Sequence, residues 1–142
     1  MDYIGEDGKK HRVVVLHVAI FGSFERFMGI LIEHYAGAFP LWLSPVQVKV
    51  IPVRTNHNEY AKQIFELLKE NNIRAELDDA KANLGGKVRD AKNNKIPYWI
   101  VIGNKEMEAK KITLESRDTG QLGQISKEEL LTKLKKEIEE KI

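Results

Sequence analysis

Three groups of residues in this chain have the type and spacing to do chemistry. His17 lies near the end of the apolar run Val13–Ala19, and Glu25-Arg26 follows after the break at Gly22-Ser23. An imidazole nitrogen is a good zinc ligand, and the planar guanidinium of Arg26 can stack on a base face in a way that a lysine ammonium cannot match. The second group is basic: Lys81, Lys87, Arg89, Lys92, Lys95, Lys105, Lys110 and Lys111 stand against only Asp90, Glu106 and Glu108. Such an excess suits a phosphate-tracking face, and Lys87 and Arg89 fall in the first turns of a helix, where the amino terminus favours an anion. The third is the oppositely charged pair Glu115 and Arg117, at the end of the strand predicted over 111–116. The first two groups have plainer alternatives: a metal-free imidazole, a helix-start arginine paired with Glu25 or a neighbouring carboxylate, and ordinary solvated lysines. Gly85-Gly86 lacks a Walker or dinucleotide fingerprint and gives little support to a free nucleotide-binding protein.

The elements that must position these groups follow from periodicity and punctuation. Val13–Ala19 reads as a buried strand, and a helix opening near Phe24 carries Phe27, Ile30, Leu31, His34 and Tyr35 at helical spacing until Gly37 ends it. Pro40 and Pro45 bracket an extended connector, after which Val46, Val48 and Val50 alternate with Gln47 and Lys49 as a strand should. The spacing then predicts a helix over 58–71, a strand over 73–77, a helix over 84–94, a strand in "IPYWIVIG", a strand over 111–116 and a closing helix over 126–142. Ser126 and Glu129 form a capping box at the start of that last helix. Two strands meet there without room for a crossover helix, so a mostly parallel sheet with one antiparallel member is expected.

A chain of 142 residues suffices for one ordinary domain, or for a small domain with a fragment of another. No apolar run approaches the roughly 18 residues of a membrane span, and Asp2, Glu6 and Asp7 stand where a leader would be basic and then apolar. A cytoplasmic protein without membrane contact is expected. The absence of cysteine excludes disulfides and thiolate metal sites. The net charge of +2 is too small to name a partner, and its slight positive excess lies after residue 43.

The stretches "GSFERF" and "AGAFPLWLSPVQVKVIPV", followed by "LGGKVRDAKNNKIPYWIVIG", resemble the carboxy-terminal part of the threonyl-tRNA synthetases. The resemblance runs from the last motif of the class II catalytic domain through the anticodon-binding domain. It implies an α/β fold: an anticodon-binding-domain-like mixed, mostly parallel five-stranded sheet flanked by three helices (44–142), preceded by a strand-helix remnant of the catalytic domain (1–43). It further implies that Arg26 stacks on the adenine of ATP and that His17 is one ligand of a catalytic zinc whose other ligands lie much earlier in the family's chain. Lys87, Arg89, Glu106 and Arg117 are the implied RNA-binding residues.

Departures from the family pattern accompany the match. Val18 stands where the family usually has arginine, and Ala80, Lys81, Asn83 and Gly86 replace residues of the stretch before the second helix of the anticodon domain. Glu115 stands where the family uses arginine, a charge reversal that opposes binding to phosphate or to a base acceptor. The family uses ATP with Mg and a catalytic Zn and forms homodimers. This chain alone is expected to hold no cofactor and to be inactive, because the remaining adenylate-forming residues do not fit in roughly forty positions. Two functions follow: a module that binds the anticodon loop of threonine tRNA, or a non-catalytic relative or engineered scaffold in which tRNA recognition is weakened or lost.

Overall fold

Two compact units, Met1–Leu31 and Ile32–Ile142, divide the chain in the computed structural model, which describes residues 1–142. In the first unit β1 (Asp2–Ile4) and β2 (Lys10–Arg12) form an antiparallel hairpin. Gly8 turns it at φ +69°, a conformation that costs glycine little. The Asp7 carboxylate accepts from the Lys9 amide at 3.1 Å and from the His11 ring at 2.9 Å.

The run Val13–Ala19 does not form the buried strand expected of it. It joins no ladder, and Val14, Val15, Leu16, Val18 and Ile20 are each at least three-quarters exposed. The reason is physical: an isolated extended segment has neither a neighbour for its backbone N–H and C=O groups nor an opposing face to bury its side chains. His17, which lies in the run expected to be buried, is exposed with it. Helix α1 (Phe24–His34) begins at Ser23, whose hydroxyl faces the Arg26 amide at 3.4 Å and donates to Glu25 at 2.7 Å. Ala36 and Gly37, both at positive φ, end the helical course, with the Gly37 amide bonded back to the Ile32 carbonyl.

The second unit is built on strands β3 (Val48–Pro52), β4 (Ala75–Leu77), β5 (Tyr98–Ile102), β6 (Ile112–Ser116) and β7 (Gly120–Ile125), in the order β4-β3-β5-β6-β7. β3 lies parallel to β4 and β5, β6 runs antiparallel to β5, and β7 runs antiparallel to β6. Four strands therefore share a direction and β6 opposes them. Helices α2 (Asn58–Glu70), α3 (Leu84–Asn93) and α5 (Lys127–Glu140) occupy the predicted places. Local periodicity marked neither β7, the fifth strand that the family resemblance implied, nor the short α4 (Asn104–Ala109).

Alternation along the strands sends two sets of side chains to opposite faces. Val48, Val50, Ile100, Ile102, Ile112 and Leu114 pack with Ala61, Ile64 and Leu68 of α2 and Leu130 and Leu134 of α5. Complete burial of each large aliphatic side chain stabilises by about 1.5–3 kcal/mol. The opposite face puts Ile51 and Trp99 against Ala91, Leu84 and Val88 of α3. α3 covers this face over β3 and β5, leaving the β6–β7 end without a helix.

The connector expected to end the first domain at Leu43 is bonded into the second unit. Arg74 donates from Nε to the Ser44 carbonyl at 2.9 Å and from its terminal nitrogen to the Trp42 carbonyl at 2.7 Å. Gln47 donates to the Leu41 carbonyl at 2.9 Å, and Leu41 and Ser44 are buried. Satisfied buried polar groups of this kind fix a connector that its prolines would otherwise merely stiffen. No helix of the chain is long and apolar enough to cross a membrane.

Candidate nucleic-acid interface

The uncovered end of the α3 face carries a polar row that its local geometry explains. Trp99, Val101, Thr113 and Glu115 share this face, because Trp99 is paired with Glu115 and Val101 with Thr113 across the β5–β6 ladder. On the neighbouring strand Glu115 pairs with Gln121 and Thr113 with Gln124. That pairing works because the register shifts between Leu114 and Glu115, so Leu122 is left over as a bulge. Two glutamines three residues apart, which a regular strand would send to opposite faces, are thereby brought to the same one.

α4 adds Glu106 to the row. The Gly103 amide donates to its Oε2 at 2.9 Å, the capping contact that starts the helix, and the Thr113 hydroxyl donates to its Oε1 at 2.7 Å. Partial burial pushes the Glu106 carboxyl upward, but the bonds from Thr113 and Gly103 outweigh it and hold the group below the usual glutamate range. Glu115 lies on the same face, its Oε2 accepting from the Trp99 indole N–H at 2.9 Å. The Lys92 ammonium stands 5.7 Å from the Trp99 ring centroid, and Arg89 is exposed on the outer side of α3. The arrangement offers carboxylate and amide groups for hydrogen bonding to base edges, with the Lys92 ammonium close by as a cation suited to phosphate. Trp99 itself is 1% exposed, so it is not a stacking platform.

The other sequence-selected residues are placed differently. Lys87, expected to track phosphate, is 5% exposed, and its ammonium donates to the Asp78 carbonyl at 2.8 Å and the Pro52 carbonyl at 3.4 Å, with the Asp78 carboxylate at 3.7 Å. Its first-turn position on α3 points it down at the sheet, which sequence spacing alone did not distinguish from solvent. Arg117 uses four of its five N–H groups inside the chain: two on the Asp118 carboxylate at 2.9 Å and one each on the Phe39 and Lys95 carbonyls at 3.0 Å. It acts as a clamp at the end of β6. Arg26 is exposed and has no carboxylate within ion-pair distance, so the alternative pairing with Glu25 does not form.

His17 stands alone: no group of three or more His, Cys, Asp or Glu side chains is arranged to hold a metal ion. A zinc site needs three or four such donors, so the residues present do not fit zinc, and no zinc chemistry is derived from them.

Sequence reasoning missed Lys49. Read as the polar side of an alternating strand, it is 3% exposed and gathers Asp90 at 2.5 Å, Glu76 at 3.3 Å and Asp78 at 3.4 Å. Desolvation works against its charge, but the Asp90 bond and the surrounding carboxylates outweigh it and raise its pKa. This network ties α3, and with it Arg89 and Lys92, to the sheet. The available signal was a lysine on a central strand together with acids at 78 and 90. Trp99, Thr113 and Gln124 carried no signal, because their roles depend on a cross-strand register.

Comparison with known proteins gives this face its context. Over 138 residues the chain is 51% identical to the threonine–tRNA ligase of Caldanaerobacter subterraneus subsp. tengcongensis, and over 141 residues it is 52% identical to that of Clostridium botulinum (strain Hall). These matches cover 97% and 99% of the chain but 21% and 22% of the ligases, so the chain spans about a fifth of their length, in their C-terminal region. The crystal structure of the RNA binding domain of threonyl-tRNA synthetase from Cryptosporidium parvum Iowa II superposes with a TM-score of 0.77 at 32% identity, covering 83% of this chain and 30% of that one. Residues 47–137, which carry the sheet, its helices and the polar row, match the family described as anticodon binding domain, and the chain belongs to that family.

Proposed function

We propose that this chain binds the anticodon loop of threonine tRNA and does so as the C-terminal part of a threonine–tRNA ligase, the enzyme that joins threonine to its tRNA using ATP. The observation that carries this reading is the identity of about half over essentially the whole chain to threonine–tRNA ligases, together with the family match across residues 47–137. The helix-free end of the sheet supports it physically. It presents Glu106, Glu115, Gln121 and Gln124 for base edges, with Lys92 beside them for the backbone and Arg89 exposed on the same helix as Lys92. In the full enzyme Arg26 is the residue we assign to the adenine of ATP, its guanidinium being unpaired here.

The test is fluorescence anisotropy of the chain with a threonine anticodon stem-loop and with a loop of scrambled sequence on the same stem. The expected result is tighter binding of the threonine loop, weakening steeply with added salt. Equal affinity for both loops would refute the reading.

A further inference from the structure

We propose that His57 is a positioning residue: its imidazole clips the start of α4 to the start of α2 and, through α4, fixes the direction of the Glu106 carboxylate. The inference rests on the anticodon-binding reading for its functional sense and goes beyond it by naming a buried residue outside the RNA-facing row. α4 is six residues long and buries none of them, so neither its own helical preference nor apolar packing can place it. What holds it is polar. The Gly103 amide and the Thr113 hydroxyl both donate to Glu106, and at the first residue of the helix His57 Nε2 lies 2.7 Å from Asn104 Oδ1.

The ring is built for this task. His57 is 2% exposed, closes the 3-10 turn Thr55–His57 and stands at the N-cap of α2. The Arg54 amide donates to Nδ1 at 3.2 Å, which requires a lone pair there. A neutral ring therefore carries its one proton on Nε2 and donates it to Asn104. In this way a single side chain joins the turn after β3 to the turn after β5. These strands are parallel neighbours, and the order β4-β3-β5 sends the chain first to one side of β3 and then to the other. At such a reversal the loops leaving the two strands part and open a crevice. Here the Val53 amide donates to the Ile102 carbonyl at 2.9 Å, and beyond it the buried ring spans the gap. Asn104 and Glu106 are two positions apart in α4, so releasing the first moves the second.

The experiment separates the two bonds of the ring in the full chain. Glutamine can reproduce the Nε2 donor and asparagine the Nδ1 acceptor, so His57→Gln keeps the tie to Asn104 and His57→Asn keeps only the tie to Arg54. Two quantities are read: the NMR titration of the Glu106 carboxyl, which lies below the usual range against the upward push of burial, and the preference for the threonine stem-loop over the scrambled loop. His57→Gln should leave both near wild type. His57→Asn and Asn104→Ala, the latter at an exposed position, should raise the Glu106 titration and cut the preference roughly fivefold, the weight of one ordinary hydrogen bond. A merely structural histidine would make the two His57 variants alike. The same Glu106 titration in both overturns the inference, as does a wild-type ring whose nitrogen shifts place the proton on Nδ1, a measurement that needs no variant to fold. A raised Glu106 titration in His57→Asn with the loop preference intact overturns it as well. Titration and ring proton are measured without RNA, so a wild type with no loop preference refutes the anticodon reading while those two still decide whether His57 places Glu106.

Discussion

Asp78→Asn should destabilise the protein more than Lys49→Met, although Lys49 has the larger number of ionic partners. The Asp78 side chain is 9% exposed and is the sole carboxylate near Lys87, whose own side chain is 6% exposed. Removing one member of a buried pair typically costs about 3–5 kcal/mol, because it strands the other charge away from water. Here the carboxylate stands 3.7 Å from the ammonium, and Lys87 keeps two carbonyl acceptors. The lower end, about 3 kcal/mol, is therefore the expectation, a fall of roughly 10 °C in Tm for a domain of this size. Lys49→Met instead releases Asp90 and Glu76, whose side chains are 54% and 48% exposed and can turn to water, and it leaves Asp78 with Lys87. Its cost should be near 1 kcal/mol. Thermal and urea denaturation of both variants at neutral pH decide the matter. A Lys49→Met penalty equal to or above that of Asp78→Asn would refute the claim that exposure of the surviving partner sets the cost.

Three further outcomes follow from single contacts. The Tyr98 hydroxyl donates to both oxygens of Glu137 at 3.0 and 2.9 Å; burial first, and then that bond, push its ionisation well above the ordinary tyrosine range, so absorbance titration should find Tyr98 still protonated at about pH 11. The depressed pKa of Glu106 adds stability that is present above its ordinary value of about 4.3 and is lost as pH falls through the native value; Thr113→Val should move that carboxyl up by NMR titration and flatten the acid limb of the stability profile. Arg89→Ala, which removes an exposed cation of α3, should weaken stem-loop binding about equally for all loop sequences and reduce the salt slope by roughly 0.7, whereas Lys87→Ala should act mainly on stability.

Much of the architecture was written locally. α2, α3 and α5 follow from apolar spacing, and Ser126 caps α5 by accepting from the Glu129 amide at 3.1 Å. β3, β5 and β6 are β-branched runs bounded by turn residues. β7, by contrast, is "GQLGQI", with two glycines at positive φ and one β-branched residue, and its pairing comes from β6 rather than from its own preferences. α4 is six residues long, too short to declare a period. The site was less legible than the fold for the same reason. Glu106 reaches the polar row through Thr113 and Arg89 is exposed, but Lys87 and Arg117 were chosen by charge, and charge does not say whether a side chain meets water or a carbonyl. Lys49 and Gln47 alternate as a solvent side would, yet α3 and the connector cover them.

The uncovered β-branched stretch after the hairpin has a practical side. Val13 to Ile20 contains no acidic residue, no proline and no glycine, and it displays its aliphatic groups and its backbone to solvent together. Segments of that composition stack readily with copies of themselves into cross-β ribbons. These eight residues, rather than the sheet of the second unit, should therefore limit the solubility of a purified sample, and a shorter version beginning at Ile32 should tolerate far higher concentrations.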